Sequence, residues 1–164
     1  MADLTHVTPD GRPRMVDVGD KPVTKRSATA EGFLSLSPPA HDAVAQRRNR
    51  KGDVAFTAEL AGIQGAKRTS DLIPLCHPLA LDGVDVAFRR RGRRELLVLA
   101  RVACTGRTGV EMEALTAAAL AALTIYDMSK ALSHGIEIAD LRLLEKRGGR
   151  SGVWRRPARR RGGA

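Results

Sequence analysis

From Thr108 to Leu132 the chain is almost continuous Ala, Leu and Thr, with charges only toward its ends: Glu111 and Glu113 at the start, Asp127 and Lys130 at the finish. Such residues form helix readily, and the pattern predicts one long helix from about 108 to Ser133, closed by Gly135. A helix apolar on every side is normally covered on more than one of them. The rest of the chain alternates in ways that supply the cover. Met15–Val18 is a short apolar–polar alternation, and Val23–Leu36 reads as a long strand, weakened around Gly32. Ser37 is placed to cap a short helix opened by Pro38 and Pro39 and ending in Gln46–Arg50. Asp53 suits the N-cap of a second helix, whose Ala58, Ala61, Gly62, Gly65 and Ala66 form a small-residue face ending near Lys67. Asp71–Leu79 holds two prolines and reads as a loop. Residues 81–89 and 95–105 predict a hairpin, and 136–145 a last strand. This order predicts an α+β, ferredoxin-like antiparallel sheet with helices packed on one face, plus one extra helix.

Length and charge refine the picture. The 164 residues suit one domain, read as residues 15–152, after a mobile N-terminal segment (1–14) and before a disordered Arg-rich tail (153–164). Cys76 and Cys104 make no disulfide framework, and no apolar run reaches membrane-spanning length, so a cytoplasmic protein with no membrane partner is expected. The net charge of +10 suggests a basic nucleic-acid-binding domain as the alternative. Against it, five arginines sit in the last ten residues, five more crowd residues 89–94, and aromatics make up only 3% of the chain, leaving few rings to stack on bases.

Glu113 and Asp127 lie 14 residues apart, within about 40° around a helix axis but roughly 21 Å along it. One helix cannot bring both to one reacting centre, so two copies sharing a site is the favoured reading. Charge–dipole attraction alone would account for acids at a helix start and a lysine at its end, at about 0.3–1 kcal/mol each. Cys76–His77 lacks partners at metal-ligand spacing, so no metal site is expected, and His77 reads as a substrate contact or proton donor. Gly148–Gly152 could offer N–H groups and the Arg150 guanidinium to a phosphate.

Six segments carry a resemblance: Met15-Val-Asp-Val, Lys51-Gly-Asp-Val, Ala61-Gly-Ile-Gln, Asp71-Leu-Ile-Pro-Leu-Cys-His-Pro-Leu, Thr108-Gly-Val-Glu-Met-Glu-Ala-Leu-Thr and Leu123-Thr-Ile-Tyr-Asp-Met-Ser-Lys. They closely resemble the molybdenum cofactor biosynthesis protein C family, the cyclic pyranopterin monophosphate synthases. The resemblance implies a lyase that converts 3',8-cyclo-7,8-dihydroguanosine 5'-triphosphate to cyclic pyranopterin monophosphate, releasing pyrophosphate. It implies a homohexamer, a trimer of dimers with sites at subunit interfaces. It places catalysis on Asp127, Lys130 and Lys51. Substrate binding falls on Leu75, Cys76, His77, Glu111, Met112 and Glu113, with Lys67, Lys146 and Arg26 as further contacts. No cofactor is required, although magnesium could accompany the triphosphate. The family's Gly-Gly-Lys-Ser-Gly reads Gly-Gly-Arg150-Ser-Gly here, which keeps the charge and changes its geometry. An Asp–Lys pair suits the proton transfers, and a lysine with its pKa lowered by neighbouring cations could act near neutrality.

Overall fold

The computed structural model describes residues 6–46 and 52–157. It contains β1 (Thr24–Ser35), α1 (Pro38–Ala45), α2 (Val54–Lys67), α3 (Thr69–Leu72), β2 (Gly83–Arg91), β3 (Glu95–Gly106), α4 (Glu111–Ser129), β4 (Glu137–Arg147) and β5 (Trp154–Arg155). The sheet runs β2-β3-β1-β4-β5, and every neighbouring pair is antiparallel. Its first four strands follow the ferredoxin-like pattern that the sequence predicts.

Local chemistry accounts for the helix starts. The Ser37 hydroxyl accepts from the Ala40 amide at 3.4 Å, and the Asp53 carboxylate accepts from the Phe56 amide at 3.0 Å, so both expected N-caps are present. Small residues on β1 (Ala28, Ala30) and the alternating Leu96, Val98, Ala100 and Val102 of β3 form a buried floor. α4 lies on β1, β3 and β4, while α2 packs against α4 and β2. The α2–α4 contact is close because glycines make it. Gly62 sits against the Ala117 carbonyl and Ala121, and Gly65 against Leu120 and the Thr116 carbonyl.

Several sequence expectations need correction. α4 ends at Ser129, short of Ser133, because the following turn is drawn onto α1: the Ser37 hydroxyl donates to the Leu132 carbonyl, and the Ser37 amide to the Ser133 hydroxyl. The Asp71–Leu79 loop begins within a single-turn helix, α3, where the buried Thr69 hydroxyl donates to the carbonyls of Gly65 and Ala66. The tail is not free from residue 153. Trp154 and Arg155 pair with β4, Arg155 donates to Glu145 at 2.6 Å, and the Arg156 guanidinium lies 5.7 Å from the Trp154 ring centre. The expected end of α1 in Gln46–Arg50 becomes Ala45, and residues 47–50 lie outside the described residues. No helix among the described residues is long and apolar enough to cross a membrane.

Candidate active site

The sequence direction of α2 decides what meets what. Its C-terminal end leads through α3 into Leu75–His77, and that loop packs beside Glu111–Glu113 at the start of α4. α2 is therefore antiparallel to α4. Lys67, at the end of α2, lies toward the start of α4 but lines neither of the cavities that open there, and the Gly52–Asp53 entry to α2 lies toward the other end. Lys51, just before that entry, lies outside the described residues.

Two adjoining cavities open at the start of α4. One, of about 430 Å³, is lined by Leu75, Cys76, His77, Glu111, Met112 and Glu113, which brings together six residues expected in the substrate site. The other, of about 510 Å³, holds Arg26, Lys146 and Arg150. Lys21, Thr108, Gly109 and Glu111 line both, making them one groove. Cations dominate its second half: Lys21, Arg26, Arg107, Lys146, Arg147 and Arg150 face a single acid, Glu111. Such a cluster favours a ligand with several negative charges. The sequence reading passed over Lys21 and Arg107, which stand in turns with no periodicity; their only signal was a cation beside a strand end.

Electrostatics separates the groups in the other half. Glu113 is buried, and burial raises its carboxyl pKa, with the neighbouring Glu111 adding to the shift. Cys76 is raised by burial and then by Glu113, and Cys104 by burial and then by Asp82. Neither thiol is therefore set up as a thiolate nucleophile. Among the described residues, no group of three or more His, Cys, Asp or Glu side chains could hold a metal ion. His77 is fixed through one ring nitrogen: its Nε2 lies 2.7 Å from the Val16 carbonyl, which can only accept, so Nε2 donates there. The Met15–Val18 segment thus orients a site histidine. The Glu111 carboxylate folds over Gly109, into space that the glycine leaves open.

Asp127 and Lys130 are elsewhere. They form an exposed ion pair of 2.7 Å at the far end of α4, outside both cavities. Hydrogen bonding to Asp127 raises the Lys130 pKa, so the lowered lysine envisaged from sequence is not found at Lys130 within one chain. The outward faces of the two helices toward this end carry the exposed apolar side chains Phe56, Leu60, Leu123 and Tyr126.

A cation-rich groove beside a buried carboxyl fits a ligand that carries several negative charges. Comparison with known proteins makes this specific. The profile of the MoaC family matches residues 15–149, and the chain belongs to that family. It is 54% identical over 157 residues to the cyclic pyranopterin monophosphate synthase of Thermomicrobium roseum, covering 95% of each chain. Identity to the enzyme of that name from Staphylococcus carnosus is 45% over 161 residues, 97% of this chain and all of the relative. To cyclic pyranopterin monophosphate synthase 1 of Mycobacterium bovis it is 52% over 155 residues, 94% of this chain and 91% of the relative.

Proposed function

We propose that this chain is a cyclic pyranopterin monophosphate synthase of molybdenum cofactor biosynthesis. It converts 3',8-cyclo-7,8-dihydroguanosine 5'-triphosphate to cyclic pyranopterin monophosphate and pyrophosphate. The observation that carries the reading is the groove itself, six cations running into a pocket walled by His77, Glu111 and Glu113. The cations bind the triphosphate and stabilise the charge that builds on departing pyrophosphate. The Leu75–His77 and Glu111–Glu113 walls hold the pterin-forming end. A carboxyl with a raised pKa, such as that of Glu113, is suited to exchanging a proton or donating a hydrogen bond at the ring. Magnesium, if it accompanies the triphosphate, is carried by phosphate oxygens, since the basic half of the groove offers only the Glu111 carboxylate.

Asp127, Lys130 and Lys51 complete the site from a second copy of the chain, in a homohexamer built as a trimer of dimers and working in the cytoplasm. Two facts support this. The ends of α4 are roughly 21 Å apart, and Phe56, Leu60, Leu123 and Tyr126 leave apolar surface toward the Asp127 end. The test incubates purified protein with the cyclised nucleotide and follows formation of the pterin and of pyrophosphate. Wild type should form both in equal amounts, and Asp127→Asn and Lys51→Ala should form neither while remaining folded. Failure of the wild type to form pterin would refute the assignment. A nucleic-acid-binding domain would instead bind with steep salt dependence, undisturbed by Asp127→Asn.

A further inference from the structure

Arg26 is held more tightly than a surface arginine in a basic groove needs to be. Its Nε donates to the Gly106 carbonyl at 2.9 Å and its Nη2 to the Arg107 carbonyl at 3.0 Å, at the last residue of β3 and the first of the loop that leads into α4. Three N–H groups are left without a partner among the described residues, one on Nη2 and both of those on Nη1. Nη1 lies against Gly149: a Cβ built on Gly149 would fall 2.4 Å from Nη1. At Gly148 the added atom would meet the Lys25 carbonyl at 2.4 Å. Both glycines have left-handed backbone, with φ of +97° and +69°, which lets the turn after β4 close over the first residues of β1.

We infer that Gly149 is a positioning residue for Arg26. Its missing side chain leaves the space into which the guanidinium folds, and the Gly106 and Arg107 carbonyls then fix that group with Nη1 toward the ligand. The ligand class is a di- or triphosphate, and this rests on the proposed reading of the groove. The benefit is preorganisation: an arginine already held in its bound geometry loses little conformational freedom when an anion arrives. Lys146, whose ammonium contacts the Ser151 hydroxyl across the same turn, is held beside it.

The probe is inorganic pyrophosphate, titrated calorimetrically into the full-length chain, with melting temperature recorded for each variant. Arg26→Ala and Gly149→Ala should each weaken pyrophosphate binding at least tenfold. The double variant should be no weaker than Arg26→Ala within about twofold, because the glycine acts only through the arginine. Gly149→Asn separates clearance from backbone strain, since asparagine tolerates positive φ but still carries a Cβ. It should bind as weakly as Gly149→Ala. Wild-type binding by folded Gly149→Asn or Arg26→Ala, or additive losses in the double variant, would overturn the inference. Turnover of the cyclised nucleotide by the wild type is scored separately. A wild type that gives no pterin yet shows this pattern of binding losses would sink the proposed reaction and leave the Gly149–Arg26 relation standing.

Discussion

Gly62→Ala sets two physical effects of opposite sign against each other. Gly62 lies inside α2, where replacing glycine by alanine ordinarily stabilises a helix by about 1 kcal/mol. Burying the new methyl adds roughly another 0.8 kcal/mol. Yet the Cβ would sit 2.9 Å from Val86 Cγ2, 3.0 Å from the Ala117 carbonyl oxygen and 3.3 Å from Ala121 Cβ. Val86 is β-branched and stiff, and the carbonyl belongs to the middle of α4 and cannot turn aside. Relief requires α2 and α4 to separate by several tenths of an ångström along their contact. Overpacking of this kind costs about 1–3 kcal/mol, and two walls of three being rigid puts it at the upper end. The net expectation is destabilisation by about 1 kcal/mol, or a melting temperature lower by roughly 2–4 °C for a chain of this size. Differential scanning calorimetry of wild type and variant decides the matter. A variant that melts above the wild type would show that propensity outweighs packing here and that the α2–α4 contact is looser than the distances state.

Other expectations concern the site and its charges. Glu113→Gln should raise stability at neutral pH. The folded-state pKa of Glu113 is raised, so the native state is favoured while the carboxyl is protonated and loses that advantage as pH rises through its folded pKa. Urea midpoints of variant and wild type should therefore diverge above that pKa and converge below the unfolded one; equal midpoints throughout would refute it. Glu145, bonded to Arg147 and Arg155, has its pKa lowered to about 2. Its contribution is present above the unfolded pKa and lost as pH falls through about 2, and a carboxyl-carbon NMR titration with a midpoint near 4.5 would contradict the pairing. If the site is shared, mixing inactive Glu113→Gln and Asp127→Asn chains after partial denaturation should restore some pterin formation. No recovery in confirmed mixed oligomers would place both residues in separate functions. Asp127→Asn itself should change the melting temperature little, since solvent screens an exposed i,i+3 pair.

The features legible in the sequence were those with local causes. Ser37 and Asp53 announced two helix starts because an N-cap bonds within three residues of itself. The alternation of β3 and the poly-Ala character of α4 declared their buried faces. Structure without a local cause was missed. α3 depends on Thr69 closing onto the end of α2, and β5 on the Glu145 carboxylate of another strand. Met15–Val18 showed only a short alternation, which cannot reveal what the segment contacts. In the fold, its Val16 carbonyl accepts from His77.

The sequence by itself determined the longer helices and strands, the family, and the separation of Glu113 from Asp127, since helical rise and period follow from residue spacing alone. Only the tertiary structure decided which loops converge. Lys21 with Arg26, Arg107, and Lys146 come from three segments far apart in the chain and meet because β1 pairs with both β3 and β4. Antiparallel registers formed between distant segments set that convergence. Such registers are fixed by packing of the whole sheet beneath α2 and α4, not by any stretch of sequence read alone.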